Sequence, residues 1–90
     1  MFIIDLTYKT PMYLIEKYIE EHRTFLDEYY AQQIFISSGP KVPRTGGIIL
    51  AHCENKSELM KIIKDDPFYK NNLADYSITE FKSTKGVIKE

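Results

Sequence analysis

The stretch QIFISSGPKVPRTGGIILA, residues 33–51, decides the fold of this chain. Two strongly apolar runs, QIFI and IILA, lie on either side of the segment SSGPKVPRTGG, residues 37–47. Apolar runs of this length, bounded by glycine and proline, are typical of neighbouring β-strands. A hairpin commonly needs only about two to five connecting residues. The sequence therefore predicts two paired strands joined by a long loop, which contains three glycines, two prolines and two cations.

A strand and a helix are predicted before this pair. FIIDLTY alternates between apolar and polar positions, which is typical of a half-buried strand. The pair Thr10-Pro11 then indicates a helix start, with threonine as the N-cap and proline at the first helical position. Apolar residues recur along this first helix at helical spacing. They are Ile15, Ile19, Leu26 and Tyr29.

The remaining segments repeat the alternation of strand and helix. The second and third strands are predicted as QQIFIS and GIILAHC. Asn55 and Glu58 form a capping-box-like start for a second helix. This helix should end near Asp65, because the residue before a proline resists the α conformation. DPFYKNNL indicates a further helical turn, ADYSITEFK the last strand, and residues 84–90 a polar tail.

The predicted order of elements is βαββαβ within a single domain, residues 1–90. This is the order of an α+β, ferredoxin-like fold, in which both helices cover one face of an antiparallel sheet. The second and third strands offer apolar residues to both faces, so the other face is left uncovered. An exposed apolar face on a small domain favours association, most commonly with an identical copy. We therefore expect a homodimer joined through the sheet faces.

Composition and charge exclude several classes of function. The chain of 90 residues is 43% hydrophobic and 28% charged, and its formal charge is -1. This balance argues against disorder and lacks the basic footprint of a protein that binds nucleic acid or a membrane surface. The single cysteine favours a reducing cytoplasm, and the first residues form neither a signal peptide nor a membrane span. We expect a cytoplasmic protein that binds neither nucleic acid nor membrane.

His22 is the residue that most strongly indicates chemistry. It lies three residues after Ile19 and four before Leu26, within the buried stripe of the first helix. A histidine held there needs hydrogen-bond partners and titrates near neutral pH. It is either a core histidine satisfied by one carbonyl or a group that transfers protons.

Asp66 would fall on the comparable stripe of the second helix, four residues after Ile62 and three after Ile63, if that helix continued so far. Aspartate before proline is also a good N-cap for the next helical turn. Two helices on one sheet face could bring His22 and Asp66 together. A His–Asp pair is the minimum apparatus for general-base catalysis, because the carboxylate fixes the tautomer while the other ring nitrogen takes the proton.

The long loop supplies candidate ligand-binding groups. Lys41 and Arg44 bring positive charge, and glycines such as Gly39 let backbone N–H groups approach a ligand closely. Ser37 and Ser38 face in opposite directions, so one of them should point towards the helices. These residues could hold an anionic or phenolate-like small molecule at the mouth of a pocket whose floor carries His22. A surface loop with solvated cations is the alternative.

No motif indicates a metal or a cofactor. His52 and Cys53 are adjacent in a predicted strand, so their side chains should point to opposite faces. The chain has no HxH, CxxC or HExxH spacing. Its glycine-rich segment lies between two strands, not between a strand and a helix as in a phosphate-binding fingerprint. We expect no metal and no cofactor.

The chain resembles members of the YCII-related family of small dimeric proteins. The matching pieces are EHRTFLDE, SGP, GGIILA, DPF and YSITEF, which span Met1 to about Lys82. The resemblance implies a dimeric α/β barrel built on the ferredoxin-like plan. It also implies that the family's proposed active-site histidine and aspartate fall on His22 and Asp66. Members that resemble dehydrochlorinases act on chlorinated hydroxylated aromatics, and similar barrels include muconolactone isomerases and small monooxygenases.

Three interpretations of the site stay open at this point. In the first, the protein is a cofactor-independent lyase or isomerase in which His22 moves a proton and Asp66 orients it. Ser38, Lys41 or Arg44 then steadies a developing oxyanion. In the second, it is a non-catalytic dimeric module that binds a small molecule or a protein through the same cleft. In the third, both residues are structural. The resemblance favours the first, although a fold alone does not define a function.

Overall fold

The computed structural model describes residues 1–90, which form one four-stranded sheet and three helices. The strands pair in the order β2-β3-β1-β4, and every neighbouring pair is antiparallel. The prediction of an α+β, ferredoxin-like fold is confirmed. None of the helices is long and apolar enough to cross a membrane. The elements are β1 (Phe2–Tyr8), α1 (Met12–Ala31), β2 (Phe35–Pro40), β3 (Gly46–Ala51), α2 (Lys56–Ile63), α3 (Pro67–Lys70) and β4 (Ala74–Glu80).

The hydrophobic core lies between the helices and one face of the sheet. Phe2, Ile4 and Leu6 alternate along β1 and are at most 2% exposed. Because β1 is a central strand, this row sits directly under the helices, and α1 buries Ile15 against it. The same cluster includes Phe25, Phe35, Ile49, Ala51, Leu59, Ile63 and Phe68. Aromatic side chains of α1, β2 and α3 thus fix how the helices sit over the strands.

The opposite face of the sheet carries apolar and charged side chains without a covering helix. Ile3 on β1 pairs with Leu50 on β3, and both are half-buried. Beside them, Lys41 Nζ lies 2.5 Å from Oδ1 of Asp5. This is the face through which the sequence predicts a homodimer, and the dimer itself stays a prediction.

The connection between β2 and β3 is shorter than predicted. β2 continues through Pro40 and β3 begins at Gly46, so only residues 41–45 form the loop. Pro40 is tolerated because β2 is an edge strand, where a missing N–H leaves no ladder partner unsatisfied. The prediction of a loop over residues 37–47 is therefore wrong, since its first four residues continue the strand.

Three element ends also differ from the predictions. α1 begins at Met12 with Pro11 in the N-cap position, so Thr10 lies one residue too early to cap the helix, and its hydroxyl is buried without a partner. β2 starts only at Phe35, because α1 extends to Ala31 and the turn after it places Gln33 at a φ of 61°. β3 ends at Ala51, so His52 and Cys53 lie outside the strand.

Gly46 allows β3 to begin against β1. A Cβ atom there would lie 1.8 Å from the backbone oxygen of Leu6, whereas a Cβ at Gly39 would meet nothing within 4 Å. We predict that Gly46→Ala lowers the free energy of unfolding by about 1–3 kcal/mol or more, because the backbone has to move. The matched substitution Gly39→Ala should change it by less than about 0.5 kcal/mol. Urea denaturation of both variants tests this, and equal losses would contradict it.

Candidate functional site

The central contact of the site joins α1 to the start of α3. Nδ1 of His22 lies 2.8 Å from Oδ1 of Asp66. The stripe of α1 that faces the sheet positions His22, and Asp66 occupies the N-cap of α3, where proline follows it at the first helical position. The two side chains are 12% and 1% exposed. The contact brings together residues that are 44 positions apart, and their catalytic roles stay predictions.

Asp66 accepts hydrogen bonds from three directions. Besides His22, its Oδ1 accepts from the backbone N–H of Phe68 at 2.9 Å, and its Oδ2 accepts from the Tyr76 hydroxyl. An ionised carboxylate is an acceptor only, so the proton between the two side chains is assigned to Nδ1 of His22. Nε2 of the same ring then holds the free lone pair. A base that faces a ligand needs this tautomer.

Phe68 fixes the plane of the imidazole ring. The centroids of the His22 and Phe68 rings are 4.1 Å apart, with an interplanar angle of 4°. One ring nitrogen is bound by Asp66 and one ring face is covered, so rotation of the side chain would break both contacts. The sequence DPF thus supplies a carboxylate, a helix start and a stacking ring to the same histidine.

Tyr76 closes the buried side of the pair. Burial raises the pKa of the Tyr76 phenol, and the adjacent Asp66 carboxylate raises it further. The hydroxyl therefore stays protonated at neutral pH and remains a donor to Oδ2. It completes the solvation of a carboxylate that is otherwise shielded from water.

A cavity of about 370 Å³ adjoins His22, between α1 and the strands β1, β2 and β3. This volume is at the small end of ligand pockets, which commonly measure about 300–1,000 Å³. It suits a molecule of about one ring. The apolar part of the lining consists of Leu6, Tyr8, Ile19, Leu26, Ile48, Ile49 and Phe68.

The polar part of the lining comes from α1, β2 and the β2–β3 loop. Ser38, Gly39 and Arg44 line the cavity together with His22, and Arg23 does so from α1. Oγ of Ser38 lies 2.6 Å from the hydroxyl oxygen of Tyr30. The cavity thus combines a histidine with hydroxyl, backbone and guanidinium groups, which is the mixed lining that orients a small ligand.

The structure does not bring Ser37 and Lys41 to this cavity, although the sequence predicted both as ligand-binding residues. Ser37 pairs with Leu50 on the uncovered face of the sheet, so Ser38 is the serine that faces the helices. Lys41 lies on that uncovered face as well, bound to Asp5 at 2.5 Å and to the Thr7 hydroxyl at 3.1 Å. The strand pairing of residues 37–40 is the reason, because it fixes alternate facing.

Three residues around the site were not predicted from the sequence: Arg23, Tyr30 and Tyr76. Tyr76 had a usable signal, because it alternates with Ile78 on the last strand and so faces the helices. Tyr30 lies four residues after Leu26, on the apolar stripe of α1. Arg23 had no signal, since an arginine beside a helical stripe is usually solvated. No group of three or more histidine, cysteine, aspartate or glutamate side chains is arranged to hold a metal ion.

These features define a small α+β protein with a His–Asp pair beside a cavity that fits a molecule of about one ring. The family model of the YCII-related domain matches residues 1–82, so the chain belongs to the YCII-related family. The resemblance read from the sequence is thereby confirmed. A search of curated protein sequences gives no match.

A solved structure with a similar fold is that of 5-chloro-2-hydroxyhydroquinone dehydrochlorinase (TftG) from Burkholderia phenoliruptrix, in complex with 2,5-dihydroxybenzoquinone. The two chains are 18% identical and superpose with a TM-score of 0.76, over 92% of this chain and 95% of that chain. At this level of identity the likeness establishes the common fold.

Because two tyrosines are buried, we predict that the free energy of unfolding falls in alkaline solution. Burial and the neighbouring Asp65 carboxylate raise the pKa of Tyr29 from 10.0 to about 12, and the pKa of Tyr76 is raised as well. The folded state holds the hydroxyl proton of Tyr29 more tightly than the unfolded state does. This difference stabilises the folded state fully below the unfolded pKa of 10.0, and the stabilisation is lost as the pH rises above that value. The free energy of unfolding should therefore fall between pH 10 and 12.

The phenolate absorbance tests this assignment. In the folded protein, Tyr76→Phe should leave the absorbance change between about pH 9 and 11 intact, since Tyr76 does not ionise there. Tyr13→Phe is the matched control, because it removes a tyrosine that is 69% exposed. Equal losses in the two variants would contradict the buried position of Tyr76.

Proposed function

We propose that this protein is a small enzyme that transfers a proton on a small anionic or phenolic substrate, as a lyase or isomerase, with side chains of the chain itself as the reacting groups. The observation that carries the proposal is the 2.8 Å contact between Asp66 and His22, which lines a cavity of about 370 Å³. We also place the protein in the cytoplasm, on the grounds of its single free cysteine.

His22 acts as the general base. Its Nδ1 donates to Asp66, so Nε2 accepts the proton from a carbon or hydroxyl of the bound molecule. The imidazolium that forms lies beside a buried carboxylate, which stabilises its positive charge. Because Asp66 is already held by Phe68 and Tyr76, it does not have to reorganise when that charge appears.

The fate of the electron pair distinguishes the two reaction types. In an elimination, the electron pair of the broken C–H bond becomes a new π bond. A leaving group such as chloride departs with the electron pair of the bond that joined it to carbon. In an isomerisation, the imidazolium of His22 returns the same proton to a different carbon. Both reactions begin with one proton transfer to Nε2.

Ser38 and Arg44 face the charge that develops on the substrate. Both residues line the cavity that His22 adjoins. A hydroxyl and a guanidinium aimed at an oxyanion stabilise it most in a site from which water is partly excluded. Lys41, the third group considered from the sequence, is bound to Asp5 on the other side of the sheet and is left out of this role.

The family and the fold support the elimination class. The chain belongs to the YCII-related family, and the similar structure is that of a dehydrochlorinase. The bound compound in that structure, 2,5-dihydroxybenzoquinone, is a single oxygenated ring. A molecule of this size matches the volume of the cavity described above.

Asp66→Asn tests the pair with little change in shape. We predict that it lowers kcat by about 10²–10⁴-fold, because an amide neither fixes the histidine tautomer nor stabilises the imidazolium. His22→Asn should cause a loss of similar size. The assay measures chloride release and ultraviolet absorbance with chlorinated hydroquinones, chlorophenols and lactones, and circular dichroism verifies the fold of each variant.

His52→Asn is the matched control, because His52 is the other histidine, is exposed and lies outside the cavity. It should keep the activity of the unmodified protein. Full activity in a folded His22→Asn variant would overturn the proposal. Ligand binding without turnover of any compound would favour the non-catalytic module instead.

We further propose that two copies associate through the uncovered sheet faces. Light scattering should give twice the chain mass of 10.6 kDa. Leu50→Lys should yield a monomer, because it places a charge at the centre of the apolar face. Tyr13→Lys, on the helical layer, should leave the mass unchanged. A monomeric unmodified protein would contradict this arrangement.

A further inference from the structure

Arg44 presents an unpaired positive charge to the cavity. It lines the cavity and makes no hydrogen bond or ion pair with another side chain, whereas the neighbouring cations are paired. Lys41 is bound to Asp5, and Arg23 donates to Glu20 at 2.7 Å. None of the cavity-lining residues is an aspartate or a glutamate. The charge of Arg44 at the cavity wall therefore has no carboxylate partner.

The loop that carries Arg44 is fixed at both ends. The backbone N–H of Lys41 donates to the Gly46 oxygen at 2.9 Å, and the backbone N–H of Tyr8 donates to the Thr45 oxygen at 2.9 Å. These bonds hold the loop to the start of β3 and to the end of β1. The base of the Arg44 side chain is thus positioned before any ligand binds, which reduces the entropy lost on binding.

Ser38 supplies a second donor on the same lining. Its Oγ lies 2.6 Å from the Tyr30 hydroxyl, on a strand that pairs with β3. When the Tyr30 hydroxyl donates to this oxygen, the Ser38 hydroxyl proton is free to point at a ligand. An anion in the cavity favours that direction of donation, since it accepts a hydrogen bond and gives none.

Half of the lining is hydrophobic, which favours a small ligand that has an apolar ring or chain and one charged group. Leu6, Leu26 and Phe68 are among the seven hydrophobic residues of the fourteen that line the cavity. A phosphate group commonly binds at a helix N-terminus. The helix that starts at this cavity is α3, and the Asp66 carboxylate already occupies its N-terminus.

Deepening the function proposed above, we infer that the substrate is a small carboxylate, a single ring or short apolar chain whose carboxyl group lies against Arg44 and Ser38. A guanidinium presents two parallel N–H groups that match the two oxygens of a carboxylate. A phenol offers one oxygen and is largely uncharged at neutral pH. The apolar lining packs on the ring or chain, and its reacting carbon is presented to His22.

Three probes of similar shape distinguish the effect of ligand charge on affinity from the effect of ligand size. They are benzoate, benzamide and phenol. Titration calorimetry at neutral pH should show that benzoate binds at least about tenfold more tightly than the other two, since hydrogen bonds to charged groups contribute more than neutral ones. Arg44→Ala should weaken benzoate binding by about tenfold or more and leave benzamide binding nearly unchanged.

Lys41→Ala is the matched control, because it removes a cation of the same loop that points away from the cavity. It should leave the affinity for benzoate unchanged. Equal binding of benzoate and benzamide, or an equal effect of the two substitutions, would overturn the inference. Arg44→Lys should recover only part of the affinity, because an ammonium lacks the planar fork.

His22→Asn separates this inference from the proposed reaction. The variant should keep the preference for benzoate over benzamide, since the carboxyl group lies on Arg44. Benzoate binding that depends on Arg44, in a protein that turns over no compound, would support the carboxylate ligand and contradict the enzyme. Turnover of uncharged compounds by a protein that does not prefer benzoate would do the reverse.

Discussion

The carboxylate of Asp66 is the group on which the rest of the structure depends. A carboxylate that is 1% exposed is stable only when hydrogen bonds replace the water it has lost. Here the donors come from a helix, a helix N-terminus and a strand: His22 of α1, the backbone of Phe68 in α3, and Tyr76 of β4. A single buried charge thus joins three elements, and a change in any one of them alters the position of the other two.

The order of the strands and helices could be predicted from the sequence more completely than their exact ends. The order of elements follows from the apolar periodicity of FIIDLTY, of the first helix and of the run IILA, which tertiary contacts only reinforce. His22 and Asp66 could be expected near each other because His22 lies on the apolar stripe of α1 and Asp66 follows α2, and both helices had to cover the same sheet. Patterns that repeat along the chain carry this information.

The wrong loop prediction concerns residues whose conformation depends on a neighbouring strand. Ser37 to Pro40 have the composition of a turn, yet they pair with β3, because an edge strand accepts glycine and proline where a central strand would not. That pairing turned Lys41 to the far side of the sheet, where Asp5 holds it. Nothing local in the sequence distinguishes Lys41 from Arg44, since both are cations in one short loop. The register of the sheet separates them.

The geometry of Asp66 also explains why aspartate, and not glutamate, suits this position. One oxygen, Oδ1, accepts both the N–H of Phe68 and the Nδ1–H of His22, at 2.9 and 2.8 Å. An N-cap requires a short side chain that reaches the backbone two residues later, and a further methylene would carry the carboxylate past that N–H. The same carboxylate oxygen of Asp66 therefore caps α3 and orients His22. It ties the start of α3 to the imidazole, so the element that stabilises the fold also sets the tautomer on which the proposed chemistry depends.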